Sequence, residues 1–253
     1  MRRTKKIILA EIRALRANRD NYTTTVDRAD PYTLVAQHII TLVPNSTVFE
    51  GMDFAEIRNY CKKPIMTALY NSVAQPKEAF GEDTPELSAF YETLNHLFPG
   101  AMNVLQALND RWDTSATSHT FTGIDGHVAY IPVINTIEGT LSVEGLELPY
   151  IYKEQGTSEV GTSLAPNFIH GNGDAFLVRF VIESAKKEGF IVTHIHDQFD
   201  SHPNNTSRTM ELYAEGIRRI AESRMLEEFC EQDFGIDVTE FVKRTYDATY
   251  HIC

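Results

Sequence analysis

The sequence predicts an α+β fold, with helices first and small antiparallel hairpins later in the chain. Between residues 31 and 112, apolar side chains recur at three- and four-residue spacing, which is typical of amphipathic helices. From about residue 120 to 152, apolar and polar residues alternate around an Asp-Gly pair, which is typical of a β-hairpin. A further strand pattern near residue 190 lies between two helical patterns, so helices are expected to pack around a small antiparallel sheet.

Length and composition are those of an ordinary globular protein. The chain has 253 residues, of which 42% are hydrophobic and 23% charged, enough for one large or two small domains with a real core. It has no run of about 18 apolar residues, so no membrane span is expected. The three cysteines are scattered, with no Cys-x-x-Cys pair, which argues against a disulfide framework or a thiolate zinc site and favours a cytoplasmic location.

The net charge of −12 counts against a nucleic-acid-binding protein that acts alone, because such proteins usually carry a basic face. The charges are unevenly distributed, with acids concentrated near the C-terminal end and cations crowded into the N-terminal segment. In residues 1–30, Ile8, Ile12 and Leu15 fall on one face of a helix whose other face is basic. This basic N-terminal helix is expected to face a partner or a nucleic acid, with a solvated helix as the alternative.

Capping residues and breakers predict several helix boundaries. Asp53 and Glu56 stand at the head of a helical segment with the spacing of a capping box. Pro64 would remove a hydrogen bond from the interior of that helix, so it is expected near a helix start instead. Asp174 is expected to cap the helix that follows it, and Gly189 to stop that helix.

One segment presents basic and aromatic side chains at four-residue steps, namely Arg58, Lys62, Met66 and Tyr70. At 100° per residue these positions fall within about 120° of one another on a helix, so one face would present all four. Arg58 and Lys62 can bind phosphate oxygens, and Lys62 can protonate a departing pyrophosphate. Tyr70 can stack or hydrogen-bond beside a sugar. The alternative is a surface helix whose cations are solvated.

Residues 190–196 predict an apolar strand that leads into Asp197, with an antiparallel return strand after it. Asp197 can hold Mg²⁺, which needs only one or two protein carboxylates when substrate phosphates complete its shell. An ordinary turn-forming Asp is the alternative. The run Thr193-His-Ile-His-Asp197 also resembles, with altered spacing, the zinc signature of metallo-β-lactamase-type hydrolases. His194 and His196 would share one face of the strand, so His194, His196 and Asp197 could serve a zinc-dependent hydrolase instead.

Three segments, taken in order, carry a family resemblance. They are Arg58-Asn-Tyr-Cys-Lys62-Lys-Pro-Ile-Met66-Thr-Ala-Leu-Tyr70-Asn-Ser72, then Leu164-Ala-Pro-Asn-Phe-Ile-His170, then His196-Asp197-Gln-Phe199. They resemble the fingers motif Arg-x-x-x-Lys-x-x-x-Met-Thr-x-x-Tyr-Gly-Ser, the Ala-Pro-Asn-Phe-x-His segment and the palm motif His-Asp-Ser-Phe of the phage-type single-subunit RNA polymerases. That family also includes mitochondrial RNA polymerase. The similarity covers roughly residues 31–200 of this chain.

The resemblance implies a right-hand polymerase fold, with helical fingers at residues 31–118. It implies a palm at residues 119–253, with β-hairpins in a small antiparallel sheet and C-terminal helices. On the fingers, Lys62 would bind the triphosphate and act as general acid, and Arg58 would contact phosphate. Met66 would lie on the same substrate-binding face.

The resemblance also implies roles on the sugar and metal side of the nucleotide. Tyr70 would monitor the ribose and the template position, and His170 would contact the base or sugar side. His196 and Asp197 would flank the metals, with Asp197 as a Mg²⁺ ligand. Departures from the family pattern remove no reacting group; they are Pro64, Asn71 in place of Gly, and Gln198 in place of Ser.

DNA polymerases of the same superfamily share the Arg, Lys and Tyr spacing. They usually carry Phe at the position of Met66 and Asp-Glu at the position of Asp197-Gln198, so the sequence favours RNA synthesis. A fragment similar to a family A DNA polymerase is the alternative.

The family's first metal-binding carboxylate stands in an Asp-Gly-x-x-x-Gly-x-Gln-His run upstream of the fingers motif, and nothing here matches it. The thumb and the promoter-reading N-terminal domain also have no counterpart. Split versions of this polymerase are known among phages, and the chain opens with Met1 and a basic amphipathic segment. We therefore expect the fingers-and-palm subunit of a heteromeric RNA polymerase, with Mg²⁺ as cofactor and a second subunit that supplies the missing Asp.

The further partners expected from this resemblance are a DNA template, an RNA product and nucleoside triphosphates. A catalytically silent, polymerase-like binding subunit is the remaining alternative.

Overall fold

The structure is a computed structural model that describes residues 30–161, 163–196 and 198–247. The predicted basic helix at residues 1–30 lies outside the described residues except for Asp30, and Asp197, the predicted metal ligand, lies outside them as well. Within the described part of the chain, helices accompany small antiparallel hairpins, so the prediction of an α+β fold is confirmed. Among the helices of that part, none combines the length and apolar composition that a membrane crossing requires.

The first half of the described chain is helical. Its helices are α1 (Pro31–Leu42), α2 (Phe54–Ala68), α3 (Ala74–Phe80), α4 (Pro85–Leu97) and α5 (Pro99–Asp110). They enclose a first apolar cluster whose fully buried members include Tyr32, Ile39, Phe90, Leu94 and Phe98. The predicted capping box of Asp53 and Glu56 is confirmed at the start of α2, where each side chain accepts a backbone N–H from the other residue.

Pro64 lies inside α2, so the prediction that it marks a helix start is wrong. Proline lacks the N–H that would donate to the Tyr60 carbonyl one turn earlier. The helix continues because Pro64, like Cys61 and Ile65, is buried on the face that α2 turns toward the first apolar cluster. The burial of this whole face outweighs one missing hydrogen bond.

The strands of the described residues form three separate two-stranded antiparallel hairpins. β1 (Ser118–Thr122) pairs with β2 (Val128–Pro132), and the predicted Asp125-Gly126 turn between them is confirmed, with Gly126 at a left-handed φ of 79°. β3 (Ile134–Val143) pairs along its whole length with β4 (Leu146–Gln155), and β5 (Val192–Ile195) pairs with β6 (Gln198–Ser201). The hairpins are therefore confirmed, whereas their union in one small sheet is not observed among the described residues.

The second half is built from helices around the last hairpin. α6 (Leu164–Ile169), a π-helical turn (His170–Asp174) and α7 (Ala175–Lys187) follow one another without a break. Asp174 has helical backbone angles and its side chain makes no capping bond, so the predicted cap is wrong. Gly189, with a left-handed φ of 84°, follows the end of α7, so the prediction that it stops this helix is confirmed. The remaining helices are α8 (Thr206–Glu222), α9 (Met225–Cys230) and α10 (Val238–Asp247).

Candidate functional site

Tyr70, His170 and Asp174 form a compact polar group, although Tyr70 precedes Asp174 by 104 residues. Tyr70 Oη donates to Asp174 Oδ2 at 2.9 Å, and His170 Nδ1 lies 2.9 Å from the same oxygen. The rings of Tyr70 and His170 stack with their centroids 4.3 Å apart. Because a carboxylate only accepts, His170 Nδ1 must donate, which leaves Nε2 for another partner. Two residues that the sequence assigned to a nucleotide site are thus in direct contact.

The π-helical turn explains how His170 and Asp174 both reach Tyr70. A π turn holds one more residue than an α-helical turn, and such turns are often found at functional sites. Gly171 and Gly173 lie within this turn. A Cβ at Gly171 would lie 2.9 Å from the Phe121 ring, so only glycine permits β1 to pack this closely against the turn.

The end of α2 has the geometry of a Schellman motif, and this turn carries Tyr70. Ser72 N–H donates to the Thr67 carbonyl at 3.0 Å, and Asn71 N–H donates to the Ala68 carbonyl at 2.9 Å. Asn71 adopts the left-handed conformation, with a φ of 66°. Glycine usually fills this position and asparagine is one of the few side chains that tolerate it. The presence of Asn where the polymerase motif has Gly is therefore compatible with the turn.

The cationic face of α2 packs over Tyr32 of α1. Arg58 Cζ lies 5.7 Å, and Lys62 Nζ 5.5 Å, from the centre of the buried Tyr32 ring, within the range of cation–π attraction. Arg58 also pairs with Asp30, with Nη2 at 2.5 Å and Nε at 2.7 Å from Asp30 Oδ2. Arg58 therefore holds α1 against α2.

Neighbouring residues keep the Asp30 carboxylate ionised. Burial by itself raises the pKa of Asp30, but hydrogen bonds from Thr33 and Arg58 and the guanidinium charge outweigh it and hold the pKa below its ordinary value. The carboxylate is thus ionised at neutral pH. A phosphate that binds Arg58 must compete with this ion pair.

Met66 lies on the same helix face but is half-buried against the first apolar cluster. Eight residues of helix rise by about 12 Å, so Lys62 and Tyr70 are separated by roughly that distance along the axis. Arg58, Lys62 and Met66 lie within α2, whereas Tyr70 lies in the turn that follows this helix. Lys62 lies over the Tyr32 ring, and Tyr70 stacks on His170.

The last hairpin places His194 and His196 differently from the prediction that they share a strand face. β5 ends at Ile195, and His196 lies in the turn with a left-handed φ of 55°. Both imidazoles are exposed, and His194 Nδ1 lies 3.4 Å from the His196 carbonyl oxygen. Within the described ranges, no group of three or more His, Cys, Asp and Glu side chains could hold a metal ion. Asp197, the next residue in the sequence, lies outside those ranges.

The β5–β6 hairpin packs against α7, the helix that continues from the π turn. Gly189 reverses the chain, and β5 packs against α7, so the strand returns along that helix. Phe199 of β6 meets Tyr213 of α8 edge-on, with ring centroids 5.7 Å apart. The turn that contains His196 is thus carried by α8 and by α7, the helix that follows directly after the π turn of Asp174.

A second polar group beside the π turn was not predicted from the sequence. Arg179 of α7 binds the Asp125 carboxylate through Nε and Nη2, and its Nη2 also donates to the Gly171 carbonyl at 3.3 Å. Asn172 is 3% exposed, and its amide nitrogen and oxygen have no hydrogen-bond partner in the described part of the chain. A Cβ at Gly123 would lie 2.9 Å from Asn172 Oδ1, so the β1–β2 turn closes tightly over this amide.

The arrangement combines stacking rings, a shared carboxylate and a row of cations on one helix. Rings and hydroxyls suit the sugar and base of a ligand, and the cations suit its phosphates. The site can therefore position a phosphorylated, ring-bearing ligand. Comparison with models of known protein families and with curated proteins finds no match for this chain.

Proposed function

We propose that this chain is the fingers-and-palm subunit of a DNA-directed RNA polymerase and that a second chain supplies the first metal-binding Asp. The reaction joins the RNA 3′-oxygen to the α-phosphorus of a nucleoside triphosphate and releases pyrophosphate. The observation that supports the proposal most is the contact between Tyr70 and His170. These residues belong to two separate motifs of the resemblance, and the proposed reaction requires both at one nucleotide.

On the sugar side, Asp174 orients both groups. Its Oδ2 accepts from Tyr70 Oη and from His170 Nδ1, which fixes the direction of the tyrosine hydroxyl and the tautomer of the imidazole. A fixed hydroxyl beside a ribose can form a hydrogen bond that a deoxyribose cannot reproduce. Sites that bind a substrate hydroxyl in this way discriminate strongly, because the analogue leaves a buried polar group unpaired.

On the phosphate side, Lys62 is the proposed ligand of the triphosphate and the proposed general acid. An ammonium beside the departing pyrophosphate can neutralise its charge and donate a proton to it. Arg58 contributes phosphate contact only to the extent that the phosphate competes with Asp30.

Mg²⁺ is the cofactor of the proposed reaction, held by Asp197 and by the Asp of the second chain. Because Mg²⁺ needs only one or two protein carboxylates beside substrate phosphates, such a shared site asks for no further donor from the described residues. When bound, Mg²⁺ supplies activation of the 3′-hydroxyl and charge neutralisation at pyrophosphate. The contribution of this chain's described residues is to bind, orient and protonate the nucleotide.

The experiment is templated RNA synthesis by the complex isolated from the native source through a tag on this chain. The complex, with Mg²⁺ and a primed DNA template, should extend RNA from ribonucleoside triphosphates. Asp197→Ala should abolish extension without preventing assembly, since it removes metal binding rather than core packing. Asp200→Ala, in the same hairpin and bonded only to Gln198 among its described contacts, is the matched control and should remain active.

Each of four results would contradict the proposal and favour a different function for this chain. Extension by the purified chain alone would refute the split site. A preference for deoxyribonucleotides would indicate a DNA polymerase, and stoichiometric zinc would indicate the hydrolase. Full activity of the Asp197→Ala complex would indicate a catalytically silent subunit.

A further inference from the structure

Among the described residues, the β3–β4 hairpin is anchored to the rest of the fold at its base. Gln155 Nε2 donates to the Thr117 carbonyl at 3.0 Å and to Tyr130 Oη at 2.9 Å, and Gly156 N–H donates to the Val133 carbonyl at 3.0 Å. Beyond this base, the two ten-residue strands pair with each other, and no other described helix or strand packs extensively against them. Both faces of the hairpin are therefore open in the described part of the chain.

The pairing register divides the side chains of this hairpin between two faces. Residues opposite each other in an antiparallel pair lie on the same face, and successive residues alternate. One face carries the pairs Ile137–Tyr152, Gly139–Tyr150, Leu141–Leu148 and Val143–Leu146. The opposite face carries the pairs Thr136–Lys153, Glu138–Ile151, Thr140–Pro149 and Ser142–Glu147.

The first of these faces, here called the apolar face, is a continuous strip of large apolar side chains. Leu141, Leu146 and Leu148 are 55%, 63% and 44% exposed. The Tyr150 ring lies over Gly139, where a Cβ would come within 2.4 Å of it, and stacks beside Tyr152 with centroids 6.1 Å apart. These contacts fix the tyrosine rings on the strip, so the apolar surface is already organised.

The apolar face is large enough for a specific protein interface. Ten residues of strand span about 33 Å. Six side chains that are about half exposed present on the order of 500 Å² of apolar surface, given that a whole aromatic side chain can bury about 150–250 Å². Contiguous apolar patches of this size on a monomer are often functional. A standard interface buries about 800 Å² on each partner, so this face could supply most of one side.

The charges around the apolar face select the kind of partner. The hairpin carries four glutamates and one cation, Lys153. On the apolar face the charged residue is Glu154, opposite Asn135, and Glu144 lies in the turn at the other end, whereas Glu138, Glu147 and Lys153 lie on the opposite face. This acidic border, with no cation of the hairpin on the same face, repels the phosphates of a nucleic acid, and it repels a second copy of the same hairpin. It attracts a surface whose apolar centre is bordered by lysine and arginine.

We propose that the apolar face of the β3–β4 hairpin is the docking surface for a different protein, one that offers an apolar strip bordered by basic residues. The inference rests on the packing and charge of the hairpin and is independent of any polymerase activity. In the proposed complex the tyrosines and leucines become buried, and the glutamates pair with the basic border.

The test begins with site-specific crosslinking in the native source. A photo-crosslinking residue at Leu148, on the apolar face, should capture one protein, whereas the same residue at Thr140, on the opposite face, should not. The captured protein is then identified, purified and titrated against the purified chain. Leu148→Glu should weaken binding by at least about tenfold, since it replaces a buried leucine with a charge. Ser142→Glu, on the opposite face, should leave the affinity unchanged.

The charge argument is tested on the same purified pair. Glu154→Lys should weaken binding several-fold, and added salt should weaken wild-type binding more than it weakens that of Glu154→Lys. This difference in salt dependence would show that basic residues of the partner contribute to the affinity. The result does not depend on RNA synthesis by the complex.

Each alternative occupant has its own readout, and each would overturn the proposal. Sedimentation of the pure chain would show self-association that Leu148→Glu abolishes if the occupant is a second copy. Binding of single-stranded DNA that Tyr150→Ala abolishes would assign the face to nucleic acid. Binding of a synthetic peptide with the sequence of residues 1–19 would assign it to the chain's own N-terminal segment. Equal capture from Leu148 and Thr140 would remove the basis for a docking face altogether.

Discussion

Tyr70 is held at both ends of its side chain, since its ring stacks on His170 and its hydroxyl donates to Asp174. One carboxylate oxygen therefore orients two groups that come from different halves of the chain. Asp174 side-chain exposure is 20%, so water competes only partly for this oxygen. At the residue scale, Asp174 is the group that positions Tyr70 and His170.

The first prediction concerns the tyrosine hydroxyl. Tyr70→Phe removes the donor to Asp174 but keeps the ring stacked on His170, so stability should fall by only about 1 kcal/mol. In the isolated complex, the ratio of kcat/KM for ribo- over deoxyribonucleotides should fall by about tenfold, because one hydrogen bond to the sugar is lost. Tyr91→Phe on α4 is the matched control and should leave this ratio unchanged. An unaltered ratio in Tyr70→Phe would contradict the sugar-side role.

The second prediction concerns the turn that carries Tyr70. Asn71→Gly and Asn71→Ala both remove the two hydrogen bonds that the Asn71 amide exchanges with Asn109 of α5. Only alanine is strained at a φ of 66°, so Asn71→Ala should be less stable than Asn71→Gly by about 1 kcal/mol. Urea unfolding of the two variants measures this difference. Equal stability would show that the left-handed turn does not form in solution.

The sequence identified two residues of the candidate site but not the contacts between them. Tyr70 and His170 could be selected because motif spacing marks them, but their contact depends on packing between segments that sequence pattern does not relate. Asp174 was assigned to a cap because Asp before an apolar run usually has that role. The signal for a widened turn was the Gly171-Asn172-Gly173 run inside a helical pattern, where each glycine costs a helix about 1 kcal/mol.

At the scale of elements, carboxylate–guanidinium pairs join pieces of the fold. Asp30 with Arg58 joins the start of α1 to α2, and Asp125 with Arg179 joins the β1–β2 turn to α7. Burial alone raises the pKa of Asp125, but the Arg179 hydrogen bonds and charge outweigh it and lower that pKa, as Arg58 does for Asp30. Both pairs depend on an ionised aspartate.

The third prediction is the acid dependence of stability that follows from these lowered pKa values. The stabilisation is fully present above the ordinary Asp pKa of 3.8 and is lost as the pH falls through the lower pKa of the folded state. Asp30→Asn should therefore flatten the decline of unfolding free energy between about pH 5 and pH 2, measured by urea titration. Glu82→Gln, which breaks an exposed pair with Lys77, should change this slope far less. A steeper decline in Asp30→Asn would contradict the ion-pair assignment.

Element boundaries were predictable where a local signal decided them. The Asp53 and Glu56 capping box and the Asp125-Gly126 turn satisfy backbone groups within a few residues, so the sequence alone reveals them. Pro64 was misplaced because the burial of the α2 face, a tertiary effect, outweighs the local cost of a proline. The alternation of β4 was visible, but its sequence contains nothing that tells whether another element covers it.

At the scale of the whole molecule, the described residues form distinct apolar clusters rather than one core. The first lies among α1 to α5, a second lies between α5, α6 and the β1–β2 hairpin, and a third lies between α7, α8 and β5. α5 connects the first two, since Ala101 belongs to the first cluster and Leu105 and Leu108 to the second. Tyr70 crosses between the two halves through Asp174. The geometry of the Tyr70–Asp174 contact therefore depends on whether the clusters of the two halves unfold together or separately.

The last prediction tests that coupling by hydrogen exchange. Leu94 and Val181 are fully buried in the first and third clusters, and truncation of a buried leucine costs about 2–5 kcal/mol. Leu94→Ala should accelerate amide exchange mainly in α1 to α4 and should change α7 and α8 less, because separate clusters open as partly independent units. Val181→Ala should produce the reverse pattern. Equal acceleration throughout the chain in both variants would show one cooperative unit, and Tyr70 and Asp174 would then be coupled as rigidly as residues of a single core.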